Sequence, residues 1–330
     1  MILIFDSITG TTEQIRNLRF FVYFSKKYNL QFSIRYASCR SLDLKKVTLY
    51  DFKNLFNDEK MFENTESYIP YDSIKNKITS ENCVDFYKNY EIEKYFWRYD
   101  YKDNYYKEKT LDLINVIKSS SYEYIILGPS FHWWYYDIDK PKQYLLELIN
   151  DQLTLTWKDK NDNDSEESIL VIPSEKIMNK FELFKKRINN SKYNFIHYRY
   201  EDDYNHDFIT SGNHYIVPMI DDLIEHVPFK EKLPIYIATS SIELLHKKGL
   251  MKYPLENYSE IIYKNDCADL FFDEAGFLDY LIGIYSEEVY GFSKSGLSSE
   301  LIFIKKYKNM SEKRYDNLAI FNHEKYFKKI

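Results

Sequence analysis

Glycine and proline are scarce in this chain, 8 of each in 330 residues. Apolar residues make up 44% and charged residues 29%, the proportions of a soluble globular protein rather than a disordered one. The three cysteines, Cys39, Cys83 and Cys267, are odd in number and far apart, with no C-x-x-C pair. They offer neither a disulfide framework nor a zinc site. No run of about 18 uncharged apolar residues occurs, so no membrane-spanning helix is expected. The opening run Met1-Ile2-Leu3-Ile4-Phe5-Asp6 lacks a basic region and is too short to be the apolar part of a signal peptide. A reducing, cytoplasmic compartment is therefore expected. The sequons at Asn189 and Asn257 then read as chance. A net charge of −6 gives no general attraction for nucleic acid or anionic membranes, although it leaves room for a local basic pocket.

What the chain does have is aromatic residues, 33 Tyr and 23 Phe, alongside abundant Lys, Asn and Ile. Such usage fits an AT-rich genome, as in some large DNA viruses or protists, and says nothing of chemistry. The length suffices for two domains with separate cores. Ile2–Phe5 reads as a first strand, Asp6–Thr12 as a polar turn around Gly10, and Glu13–Lys27 as a helix. In that helix Ile15, Leu18, Phe21, Val22 and Phe24 fall near helical spacing, with Thr11 or Thr12 as cap. Such a strand–turn–helix corner points unpaired N–H groups at an anion. Residues 40–107 read as an insertion or a set of helices. Leu111–Ile117 reads as helix and Tyr124–Leu127 as a buried strand.

Beyond an acidic-polar stretch, Lys158–Ser168, the alternation resumes. Strands are expected at Tyr193–Ile196, Pro234–Thr239, Glu260–Tyr263 and Val289–Tyr290. Helices are expected at Ile220–His226, Ile242–Lys248 and Gly276–Tyr285, and Gly291–Ser299 reads as a Gly/Ser turn entering a helix. Strands alternating with helices predict α/β architecture with parallel sheets. The boundary is placed in the polar stretch, giving domains 1–165 and 166–330.

The segment His197-Tyr198-Arg199-Tyr200-Glu201-Asp202-Asp203 follows the strand Tyr193–Ile196. Ligands of open α/β sheets collect beyond the carboxyl ends of strands. A guanidinium there presents a planar fork suited to phosphate oxygens. The plainer readings are a solvated strand end, or metal binding by His197, Asp203 and His206, whose spacing matches no metal motif.

These residues carry a resemblance. His197 to Asp203 is similar to the H-x-R-x-x-x-D motif of the protein O-fucosyltransferase-like superfamily, and to H-x-R-x-E-x-D in its plant branch. Asp279 followed by Gly291, Ser295 and Ser298 resembles the family's helix Asp and G-x-x-x-S-S-F-[ST] block. Gly10-Thr11-Thr12-Glu13-Gln14 resembles its G-x-x-N-Q opening. Ile235-Tyr236-Ile237-Ala238-Thr239 resembles its V-Y-[IV]-A-[ST] strand. Departures are Glu13 for Asn, Gly296 and Leu297 for Ser and Phe, and Ser240 for an Asp.

The resemblance implies a GT-B-like fold, two Rossmann-like domains facing a central cleft. The acceptor would lie on the 1–165 side and the nucleotide-sugar donor on the 166–330 side. It also implies inverting, metal-independent transfer of fucose from GDP-fucose, with no cofactor, to a protein or glycan hydroxyl. Arg199 would neutralise the departing diphosphate, because charge develops on its oxygens. Ser295, Ser298 and N–H groups around Gly296 would hold the distal diphosphate, near Gly291. Asp279 and His197 would contact guanine and ribose; Gly10 and Gln14 complete the donor set. Glu201, Asp203 and Thr239 stand as secondary positions.

Glu13 is the candidate base for the acceptor hydroxyl. It reads equally as a carboxylate stabilising a helix start. Trp133-Trp134-Tyr135-Tyr136 reads as core packing or as an acceptor platform. Two alternatives remain: a relative that binds nucleotide or glycan without turnover, and a transferase using another nucleotide sugar with metal at Asp137-Ile138-Asp139.

Overall fold

The computed structural model describes residues 1–8, 10–40, 46–63, 65–89, 103–129, 171–198, 219–227, 229, 231–239, 242–253, 261–263, 269–292, 295–298, 300–301 and 318–321. The chain divides into two compact units, Met1–Glu175 and Lys176–Ile330. The stretch 158–168, where the sequence suggests a boundary, lies outside the described residues.

In the first unit, β1 (Ile2–Ser7) is buried along its whole length. A continuous apolar run of this kind suits a strand covered on both faces. β1 is the middle strand of a five-stranded sheet ordered β3-β2-β1-β5-β4, where β2 is Gln31–Arg40, β3 Val47–Asp51, β4 Cys83–Asp85 and β5 Tyr124–Pro129. β1 runs parallel to β2 and β5, β4 runs parallel to β5, and β3 forms an antiparallel edge on β2. Helix α1 (Thr11–Tyr28) covers one face, where Phe5 stacks on Phe21 at 4.1 Å and meets Phe24 edge-on at 6.4 Å. Ile2 and Ile4 point the other way, into a cluster with Ile74, Tyr124 and Ile126.

Two sequence expectations are corrected here. The N-cap of α1 is Gly10, without a side-chain cap bond, because the helix begins at Thr11 and places both threonines inside its first turn. The span 40–107 is not simply helical, since it supplies β3 and β4 along with one-turn helices and α2 (Asp103–Ser119). α1 ends on Asn29 in the left-handed region (φ 50, ψ 53), with Asn29 N–H bonded to Lys26 O and Leu30 N–H to Ser25 O.

The second unit carries a parallel five-stranded sheet ordered β10-β9-β6-β7-β8. Its strands are β6 (Asn194–His197), β7 (Ile235–Ala238), β8 (Ile261–Ile262), β9 (Val289–Phe292) and β10 (Leu318–Phe321). Helices α3 (Glu175–Arg187), α4 (Ile220–His226), α5 (Ile242–Lys247) and α6 (Phe272–Tyr285) alternate with them. Ile196, Ile237 and Tyr290 pack with Ile220, Leu223 and Leu245 on one face. On the other, Phe195 and Tyr236 stack on each other and Phe184 of α3 meets Tyr236 edge-on. α6 is apolar around most of its circumference and correspondingly buried. At its start Glu274 accepts from Phe271 N–H and pairs with Lys176 at 2.8 Å. Gly291, expected in a turn, belongs to β9.

Two phenols, those of half-buried Tyr68 and buried Tyr193, give this fold a pH dependence. Burial raises the pKa of Tyr68, as does its bond to Asp58 Oδ2 at 2.7 Å, and burial raises that of Tyr193. The folded values lie above the ordinary phenol value, so the unfolded chain loses these protons first. Stability is therefore full below about pH 10 and falls as pH rises beyond it. Tyr68→Phe should lower stability by about 1 kcal/mol near pH 8. It should also make the alkaline fall shallower. Urea unfolding followed by circular dichroism at about pH 8 and about pH 10.5 checks both.

Candidate functional site

Three parallel strands of the second unit end side by side, His197 being in register with Ala238 of β7 and with Gly291 of β9. The helical residues 296–298 follow β9, with Ser295 just before them. Both serines turn onto the histidine: Ser298 Oγ lies 2.8 Å from His197 Nδ1 and Ser295 Oγ 3.2 Å from the same nitrogen. Two hydroxyls converging on one ring nitrogen set the plane of the imidazole and leave Nε2 on the opposite edge. All three side chains are buried.

Gly291 makes this arrangement possible. A Cβ added there would collide with Ser298 Oγ and approach Ser298 Cβ to 2.6 Å and His197 Cβ to 3.5 Å. Gly296 is half-buried at the first helical position.

His197 projects on the same sheet face as Phe195 and, through register, Tyr236. There the Tyr236 hydroxyl donates to Asp279 Oδ1 of α6 at 2.6 Å, with both residues buried. Thr239, just past β7, is also buried, and its Oγ1 has no hydrogen-bond partner among the described residues.

In the first unit the corner between β1 and α1 holds the other motif. Gln14 is fully buried, its Nε2 donating to Ser38 O at 2.8 Å and its Oε1 accepting from Ser38 N–H at 3.3 Å. It therefore clasps α1 to β2. The Glu13 carboxylate is paired with Arg16 at 2.7 Å and remains partly exposed.

Two features of this corner were not foreseen from the sequence. Arg40, the last residue of β2, lays its guanidinium on the Gly10 turn, with Nη2 2.9 Å from where a Cβ would stand. Asp6, at the end of β1, is gripped by Arg35 through Nε at 3.0 Å and Nη2 at 2.7 Å. Burial opposes the charge on Arg35, yet the bonds to Asp6 outweigh it and its pKa is raised. The signal for both arginines was a second strand at Gln31–Arg40, which sequence periodicity did not reveal.

Arg199, Glu201 and Asp203 lie outside the described residues, as do His206, the aromatic run Trp133–Tyr136 and the pair Asp137 and Asp139. Among the described residues no group of three or more His, Cys, Asp or Glu side chains could hold a metal ion. Among them, too, no helix is long and apolar enough to cross a membrane.

Neither a family model nor a curated protein matches this sequence. Solved structures do match. The chain has the fold of known fucosyltransferases. POFUT1 in complex with GDP is 12% identical, with 97% of this chain and 98% of that one covered and a TM-score of 0.53. The apo form of POFUT1 is 13% identical over 97% of each chain, also at a TM-score of 0.53. Fucosyltransferase NodZ from Bradyrhizobium is 9% identical over 91% of each, at 0.49. At such identities the likeness is one of fold.

Close packing on Gly291 makes a testable demand. Gly291→Ala should destabilise the protein by about 1–3 kcal/mol through overpacking. Adding Ser298→Gly, which removes the colliding atoms, should restore part of that loss. Urea unfolding of the single and double variants measures it, and a double variant no more stable than Gly291→Ala would count against the contact.

Proposed function

We propose that this protein is an inverting, metal-independent glycosyltransferase of GT-B layout. It transfers fucose from GDP-fucose to a hydroxyl of a protein or glycan acceptor. The observation that carries this reading is the junction of His197, Ser295 and Ser298 over Gly291, at the carboxyl ends of adjoining parallel strands. Support comes from the fold shared with POFUT1, a structure of which holds GDP. A parallel sheet gathers its ligands at this edge.

In the reaction, the acceptor oxygen forms a bond to the anomeric carbon as the carbon–phosphate oxygen bond breaks. The acceptor proton passes to a base and GDP departs with the bonding electrons. Arg199, two residues beyond His197 in the chain, supplies the cation for the departing diphosphate. N–H groups at the start of the helical segment after Ser295 take the distal phosphate oxygens. The serine hydroxyls themselves hold His197 in place for the ribose. Asp279 accepts from the two N–H donors on the guanine edge. Glu13 takes the acceptor proton.

Incubation with GDP-fucose, with release of GDP followed by chromatography and binding of GDP, UDP and ADP followed by calorimetry, tests the reading. GDP should bind in preference to UDP and ADP, and GDP should accumulate. Arg199→Ala should lower turnover by about a hundredfold or more. Undiminished turnover in that variant removes the mechanism. Binding of GDP with no release from GDP-fucose, whatever acceptor is supplied, selects the non-catalytic relative. Loss of activity with a chelator selects the metal-dependent alternative.

Glu13→Gln separates the two roles of that carboxylate. As the base, its loss should cost about a hundredfold in transfer and flatten the acidic limb of the pH–rate profile. A profile like that of the unaltered chain would leave Glu13 as the partner of Arg16.

A further inference from the structure

We propose that Tyr236 is a positioning residue that orients the Asp279 carboxylate toward a guanine base and so sets the preference for GDP over other nucleoside diphosphates. The inference rests on the role proposed above for Asp279 and adds to it the residue that directs that role.

Tyr236 sits within β7, in register with Phe195 of β6, and is fully buried. Its ring is held on two sides, stacked on Phe195 at 5.5 Å and met edge-on by Phe184 of α3 at 5.4 Å. A phenol so clamped delivers its O–H to one point. That point is Asp279 Oδ1, at 2.6 Å, the short range typical of a hydroxyl donating to a carboxylate. Asp279 lies on α6, whose stretch from Phe277 to Ile284 is buried throughout.

A carboxylate on a short stem turns about two torsions, and what it recognises depends on where its plane lies. Guanine offers two adjacent N–H donors, which match both oxygens of one carboxylate lying in the plane of the base. Uracil offers a single N–H between two carbonyls, and adenine a donor beside an acceptor. Selectivity for guanine therefore requires a fixed plane, not merely a negative charge. A carboxylate has about four acceptor directions, so a phenol on Oδ1 is compatible with two further donors. Tyr236 supplies the fixed reference from the sheet, independent of the helix that carries Asp279.

Tyr236→Phe removes one oxygen and keeps the stacked ring, so it isolates the bond. Calorimetric titration of the full chain with GDP and with UDP reads the effect. Affinity for GDP should fall about tenfold while affinity for UDP stays the same. With GDP-fucose, KM should rise and kcat be held. Asp279→Asn should abolish the GDP preference, and adding Tyr236→Phe to it should change nothing more.

A Tyr236→Phe protein with a lower melting temperature but an unchanged ratio of GDP to UDP affinity overturns the inference and leaves a simple core hydrogen bond. Should that variant fail to fold, Asp279→Asn alone decides, since a retained GDP preference there overturns the inference too. No GDP binding by the unaltered chain overturns the reading of the site itself, which is a separate outcome from the others.

Discussion

Gly291 leaves a space that Ser298 fills. The helical segment after β9 comes so close to the strand that the serine side chain takes up the room a Cβ would need. That approach carries Ser295 and Ser298 across the neighbouring strand end to His197. Any side chain at residue 291 would push the segment away and release the imidazole. The arrangement depends on the sheet being parallel, because only then do β6, β7 and β9 end on the same edge. A glycine in a strand interior weakens the strand, and it marks a place where another part of the chain must come near.

The first unit uses a related device in a different way. Gly10 also stands where β1 gives way to the next element, and a polar side chain again lies against it, here the guanidinium of Arg40 from the adjoining strand. The difference is in what the contact holds. Ser298 is anchored by backbone that cannot easily yield, whereas Arg40 reaches Gly10 with the flexible end of its side chain. The firmer link in this corner is Gln14, whose amide spans from α1 to the Ser38 backbone. Buried amides bonded at both ends fix the relation of two elements more closely than apolar contact does.

How much of this was legible in the sequence depended on contrast within each segment. Ile2–Phe5, Ile235–Ala238 and Tyr124–Leu127 are uniformly apolar, and each proved to be a strand. β2 was missed because its buried positions include Ser33, Ser38 and Cys39, small or polar residues that break the pattern. Missing β2 hid Arg35 and Arg40, and with them the charged half of the first unit's corner. The glycine and serine spacing after β9 was readable as a turn into a helix. The strand-to-helix contact that makes Gly291 necessary was not, because it depends on a partner in space. Likewise Tyr236 could be assigned to a strand, but its bond to Asp279 joins residues 43 apart in the chain.

The distribution of buried polar groups gives these corners their character. In an apolar interior a hydroxyl or carboxylate is costly unless paired, so pairing is the rule. Gln14 with Ser38, His197 with two serines and Tyr236 with Asp279 all obey it. Thr239 and Asn17 are among those that do not, with Ser25, Ser33, Ser174 and the side-chain oxygen of Asn194. Thr239 Oγ1 lies just beyond β7 without a partner, and both amide atoms of Asn17 lie unpaired on α1, one turn past Glu13, among the described residues. Each such group costs about 1–3 kcal/mol. An apolar residue of similar size would fill either place at lower cost. Ser25 and Ser33, beside Phe24 and Phe32, and the Asn194 side-chain carbonyl at the start of β6 are unpaired in the same way, so an orphaned group does not by itself mark a site.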